Sequence, residues 1–397
     1  MVRCDVVMTN DISGPMAFRA MERMGAKRVF DPAKVVIVPD HFVPAKDERS
    51  AALQKLLRDW AVEQGVTYYE QGRGGIEHQV LVEEGWVVPG SVIAGGDSHT
   101  CTYGALGAFG TGLGSTDIAG CLATGTFWQV VPETILVELT GERRPYVTGK
   151  DIILAVIGEI GVAGGARSVL EFVGDGAEAL TIDERLAVAN MAVEAGAETG
   201  FFPADDVIAR YLDGRTTRPW TAQSTDPDAE IAGSTRIDLA SVPPLVALPH
   251  SPGNVVPVAD ACGRTIDQVY IGNCANGTMT DLRQAAEILR GRRVHARTRL
   301  IVVPASQRVY RQALAEGIID VLVESGALVS APTCGACFGG SGGILAAGES
   351  ALATTNRNFR GRMGSGESSV YLANAWVAAA AAVAGEIVDP AELGVVA

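Results

Sequence analysis

The chain is short of positive charge, aromatic residues and, above all, histidine. Lys and Arg total 32 against 46 Asp and Glu, a formal charge of −14. Such a chain repels phosphate backbones and shows no basic patch, so nucleic-acid binding is not expected. Long hydrophobic runs are missing too. The run over residues 375–385 falls well short of the roughly 20 residues that span a bilayer, so no membrane association is expected. The N-terminus Met1-Val2-Arg3-Cys4-Asp5 lacks the charged-then-apolar pattern of a secretion signal, and a cytoplasmic location is expected. Seven cysteines, an odd number in a long non-secreted chain, argue against a disulfide framework. They leave metal binding, chemistry or simple burial.

What is present points to sizeable cores. At 397 residues, 47% hydrophobic and 20% charged, the chain is not disordered, and roughly 100–200 residues per domain predicts two to four domains. The 47 glycines exceed the usual share of about 7% and fall between apolar runs, as tight strand–helix connections do. Short β-branched runs alternate with amphipathic stretches. Strands are predicted at 35–38, 92–94, 134–139, 169–172, 268–271 and 300–303, and helices at 51–64, 150–160, 307–316 and from Asp281 onward. This alternation predicts an α/β fold with largely parallel sheets. Polar residues just past a strand's carboxyl end then line the ligand crevice, where Asp40-His41 and Asp97-Ser98-His99 stand. Residues 215–238, rich in Thr, Asp, Pro and Ser, read as a surface connection. Domains are expected at 1–135, 136–240 and 241–397.

Four local patterns carry chemistry. Thr333-Cys334-Gly335-Ala336-Cys337 and the glycines after it bring two sulfurs to one point in a loop whose amides can approach anionic sulfur. Alone, the motif fits a redox dithiol, half a zinc site, part of an iron–sulfur site or two buried cysteines. Ile271-Gly272-Asn273-Cys274-Ala275-Asn276-Gly277 delivers a third cysteine from a strand. Three thiolates without a fourth suit an iron–sulfur cluster with an open corner better than structural zinc, which normally takes four protein ligands. Cys4, Cys101, Cys121 and Cys262 are read as structural. Of five histidines, His41, His78 and His99 fall in polar or glycine-rich contexts, and an adjacent Asp orients an imidazole and holds its charge; His250 and His295 are read as structural. Asn356-Arg357-Asn358-Phe359-Arg360-Gly361-Arg362 packs three guanidinium groups together, suiting a di- or tricarboxylate. Leu170-Glu171-Phe172 places one carboxylate at a strand end.

These motifs, in this order and over essentially the whole chain, resemble the aconitase superfamily, most nearly its isopropylmalate dehydratase and homoaconitase large subunits. The resemblance implies an aconitase-like three-domain arrangement of mainly parallel sheets flanked by helices, lacking the fourth (swivel) domain. It implies a 4Fe–4S cluster on Cys274, Cys334 and Cys337 with one iron not ligated by protein. Asp40, His41, His78, Asp97, His99 and Glu171 match acid–base residues, and Asn10, Asp11, Ser98, Arg357 and Arg362 substrate-binding ones. The implied reaction removes water from a hydroxy acid and adds it back on the neighbouring carbon. A separate small subunit, the swivel domain, is expected to supply the catalytic Ser and an Arg, because the chain stops at Val395-Val396-Ala397. The chain departs from the pattern at Asn273 and Ala275 (usually Ser and Thr), at Thr278 (usually Arg), at Phe338 after Cys337, and in a shorter N-terminus. The substrate stays open between 3-isopropylmalate and a methylmalate or homocitrate analogue. Two other readings are a non-catalytic or iron-sensing relative and a zinc or dithiol protein using Cys334 and Cys337 alone.

Overall fold

The computed structural model describes residues 1–226 and 228–394; the expected end of the third domain, at 395–397, lies outside the described residues. Among the described residues, beside a two-stranded antiparallel pair of Val2–Arg3 and Thr126–Phe127, three larger sheets flanked by helices organise the fold. The first has the order Thr67–Tyr68, Val35–Ile37, Val6–Thr9, Val92–Gly95, Phe109–Gly112, all parallel. Its central strands are fully buried Val, Ile and Met, as a strand covered on both faces requires. The second, also parallel, runs Thr199–Phe201, Ser168–Val173, Glu133–Thr140, Gly233–Asp238. The third has seven strands: Val255–Pro257, Leu245–Ala247, Ser369–Leu372, Ser350–Ala353, Gln268–Gly272, Arg299–Val303, Leu328–Val329. It is parallel except where Leu245–Ala247 pairs antiparallel with both its neighbours. No described helix is long and apolar enough to cross a membrane.

The predicted elements appear, most of them lengthened by one to three residues, while Val35–Ile37 and Gln307–Ala315 each end one residue early. The helix Glu48–Gln64 begins one turn earlier than expected because Asp47 caps it, accepting from Ser50 N at 2.7 Å. The first domain boundary expected at 135/136 cuts the strand Glu133–Thr140; the change of sheet falls before Glu133. The stretch read as a bare connection ends in a strand, Gly233–Asp238, at the edge of the second sheet. Only Ile237 in it is buried, so the segment carries almost no hydrophobic alternation.

Both the first and third sheets are wound in two directions from the middle. In the first, the chain moves outward from Val6–Thr9 to one edge and returns on the other side at Val92–Gly95. In the third it moves from Gln268–Gly272 to one edge and returns at Ser350–Ala353. Each reversal splays the loops past the strand ends and opens a crevice. Asn10 and Asp97 follow the first pair of strands, and Asn273, Cys274 and Asn356 the second.

Candidate active site

The two crevices share one cavity of about 220 Å³. Its walls hold Asn10, Asp40, His41, His78, Asp97 and His99 from the first sheet's side and Cys274, Cys334, Cys337, Arg357 and Arg362 from the third's. The two sides are stitched by backbone: Cys334 N donates to Asp40 O at 2.8 Å.

The first side is a continuous acid–imidazole network. Asp40 Oδ1 lies 2.6 Å from His41 Nδ1, and Asp40 Oδ2 accepts from Glu77 N at 2.9 Å. Asp97 Oδ1 receives His78 Nε2 at 3.0 Å and His99 N at 2.7 Å. Burial alone would lower His41, but Asp40, Asp11 and Asp97 around it raise it to about 9, so the ring is an imidazolium at neutral pH. Burial works against the Asp97 carboxylate, yet the bonds from His78 and His99 hold it well below the usual carboxylate range. Asp11 plays a different part from the one expected. It does not line the cavity; its oxygens accept Asp40 N, His41 N and Phe42 N at 3.2, 3.0 and 2.8 Å, clamping the loop that carries His41. Asn10 does line it, and gives Nδ2 to Glu77 Oε1 at 3.0 Å.

On the second side, Asn273 follows Gly272 at positive φ and turns the chain so that Cys274 faces inward. Asparagine amides surround the sulfurs. Asn190 Nδ2 and Asn356 Nδ2 reach Cys274 Sγ at 3.2 and 3.4 Å, Asn356 Oδ1 accepts from Cys337 Sγ at 3.4 Å, and Asn273 Nδ2 lies 3.8 Å from Cys334 Sγ. Amide donors aimed at sulfur suit thiolate ligands. The side chains of Cys334 and Cys337 are hydrogen-bonded to each other, and asparagine amides reach Cys274 and Cys334. Three soft thiols with amide donors around them, and no fourth cysteine beside them among the described residues, are a donor set that fits an iron–sulfur cluster better than structural zinc, which normally takes four protein ligands.

Arg357 and Arg362 close the cavity. Arg357 Nη1 donates to Ser98 Oγ at 2.9 Å; the Arg362 guanidinium bonds the Cys337 sulfur, and its Nε is buried without a partner among the described residues. Glu171 is not brought here. It lies within the strand Ser168–Val173, in the middle of the second sheet, and its carboxylate is bonded by the Thr225 hydroxyl. A carboxylate that the sequence reading missed, Glu194, braces two residues of the cavity wall. Its Oε1 lies 3.1 Å from His99 Nε2 and accepts from Arg357 Nε at 2.6 Å. Asn190 and Glu194 stand four residues apart in an otherwise apolar run of Leu186, Ala187, Val188, Ala189, Met191, Ala192 and Val193. Two polar residues one helical turn apart on such a run were the available signal. Glu77, also missed, lines the cavity beside His78.

An acid–imidazole network facing three thiols and two arginines, held between doubly wound sheets, agrees with the comparisons. The aconitase family (aconitate hydratase) model matches residues 1–265 and 259–385. The chain belongs to the aconitase family. It is 72% identical to the 3-isopropylmalate dehydratase large subunit 2 of Rubrobacter xylanophilus, over 99% of this chain and 93% of that one. It is 53% identical to the 3-isopropylmalate dehydratase large subunit of Moorella thermoacetica, over 98% and 93%. Its fold is similar to that of Thermococcus kodakaraensis aconitase X, with a TM-score of 0.53 at 14% identity over 90% of this chain and 84% of that one.

Proposed function

We propose that the chain is the large subunit of an iron–sulfur hydro-lyase that moves a hydroxyl between neighbouring carbons of a 3-isopropylmalate-type hydroxy diacid. The observation that carries this reading is one cavity lined at once by Cys274, Cys334 and Cys337, by His41, His78, Asp97 and His99, and by Arg357 and Arg362. The names of the relatives at 72% and 53% identity point to the same substrate.

Cys274, Cys334 and Cys337 would hold a 4Fe–4S cluster, which when bound would supply Lewis acidity toward the departing hydroxide through an iron not ligated by protein. The chain's own residues do the rest. Arg357 and Arg362 bind the substrate carboxylates, fixing the reacting carbons and absorbing the charge that builds when an α-proton leaves. Glu194 and Ser98 hold the Arg357 guanidinium in place. His41, kept protonated by Asp40, donates from Nε2 to the leaving oxygen. Asp97 fixes the tautomers of His78 and His99 beside it. The α-proton goes to a Ser of a small subunit, which brings a further Arg. The three sheets support units near residues 1–135, 136–240 and 241–397, the first seam drawn before Glu133, and the enzyme works in the cytoplasm as a heterodimer.

The test is hydration of the unsaturated diacid by anaerobically prepared protein, with and without the cognate small subunit. Turnover only with both chains is expected. Full turnover by this chain alone, or none with the partner, contradicts the proposal.

A further inference from the structure

Lys150 is fully buried near the start of the helix Gly149–Ile160. Its ammonium makes two contacts: Nζ donates to Thr355 O at 2.9 Å and reaches Met191 Sδ at 3.1 Å. Among the described residues no carboxylate lies within ion-pair distance of it. The nearby acids are engaged elsewhere. Asp151 accepts from Thr148, Leu245 N and Asn374, and Asp281 from Thr278 and Asn276. A buried cation bonded only to a carbonyl and a thioether is expensive unless an anion stands close by.

The two contacts are not arbitrary. Met191 directly follows Asn190, and Thr355 directly precedes Asn356. Those two asparagines bond each other, Asn356 Nδ2 to Asn190 Oδ1 at 3.0 Å, and both reach Cys274 Sγ. Asn356 also touches Cys337 Sγ. Lys150 therefore ties together the two chain segments that carry the amide cradle, through the residue next to each asparagine. Its charge environment agrees: burial pushes Lys150 down to about 8, while Asp281, Cys274 and Cys337 pull the other way.

We propose that Lys150 is a positioning residue for the thiol site, a fixed buried cation that holds the Asn190–Asn356 cradle and offsets the negative charge of the three thiolates once the cluster is bound. The inference rests on the cluster reading above. Reduction adds negative charge, so a cation behind the cluster favours the reduced form, and removing it makes the reduction potential more negative.

The test compares wild-type protein with Lys150→Met and Lys150→Arg after anaerobic reconstitution. Iron and sulfide are counted, and the reduction potential is read by an EPR-monitored redox titration. Lys150→Met should keep its fold by circular dichroism and either shift to a more negative potential or lose cluster, while Lys150→Arg stays closer to wild type. Ile153→Ala, which loosens the same helix without changing charge, should leave the potential unchanged. A folded Lys150→Met with full cluster at the wild-type potential overturns the inference, as does an equal shift in Ile153→Ala. If the methionine variant does not fold, Lys150→Gln is read the same way. A wild-type protein that takes up no cluster sinks the earlier reading instead, which keeps the two failures apart.

Discussion

Glu194 Oε1 lies 3.1 Å from Nε2 of His99, and the same oxygen accepts from Arg357 Nε at 2.6 Å. One buried carboxylate thus ties an imidazole of the first sheet's loops to a guanidinium of the third's. Burial works against its charge, but His99 and Arg357 hold it below the usual carboxylate range. Glu194→Gln keeps the shape and removes the charge. Turnover should fall by about 10²–10³-fold, the scale of losing one member of an acid–base unit. Glu171→Gln, far from the cavity, should stay within a few-fold of wild type. Steady-state kinetics of the two variants side by side check this. Equal losses would return Glu171 to the site.

His41 sets a pH dependence. Its pKa is raised from 6.5 to about 9. A group raised in the folded state contributes stability that is fully present below its unfolded value and is lost as pH rises through the folded one. The contribution is on the order of 3 kcal/mol, less any compensating relaxation. Between about pH 6.5 and 9 the melting temperature of wild type should therefore fall relative to that of His41→Asn. The turnover of wild type should decline on the same alkaline limb, as the donor proton is lost. Parallel melting curves across that range would show that His41 is not held as an imidazolium.

Arg362 separates binding from chemistry. Its Nε is buried and unpartnered among the described residues while the guanidinium also bonds Cys337, and a planar fork is not replaced by the point charge of lysine. Arg362→Lys should raise KM by about 10–100-fold, the worth of one or two charge-assisted hydrogen bonds. The cluster absorbance should persist. An unchanged KM with a lost cluster would make Arg362 a support of Cys337 rather than a substrate ligand.

Much of this was legible in the sequence, for definable reasons. Strand ends that carry Asp40-His41 and Asp97-Ser98-His99 announce a crevice, because in open parallel α/β sheets the ligand crevice lies past the carboxyl ends of the strands. Cys334 and Cys337 are a local motif, and Cys274 stands just past a short, mostly apolar strand, Gln268–Gly272, that is buried throughout. What failed was information held in the third dimension. Glu171 and Glu194 are both acids among apolar residues, and only the tertiary packing decides that Glu194 bonds the cavity residues His99 and Arg357 while Glu171 meets Thr225. Asp11 is next to Asn10 in sequence, yet its side chain points to the backbone of Asp40, His41 and Phe42 instead of the cavity. Lys150 reads as an ordinary helix-start residue until its burial is seen. The edge strand Gly233–Asp238 buries only Ile237, so no hydrophobic period marks it.

The central claim is that Cys274, Cys334 and Cys337 jointly hold a cluster. Metal and acid-labile sulfide analysis of anaerobically reconstituted protein, run beside Cys274→Ser, tests it most directly. The account predicts a brown wild-type protein with about four irons and four sulfides per chain, and a marked loss of both in the variant. A colourless wild-type protein carrying stoichiometric zinc and no sulfide would contradict it.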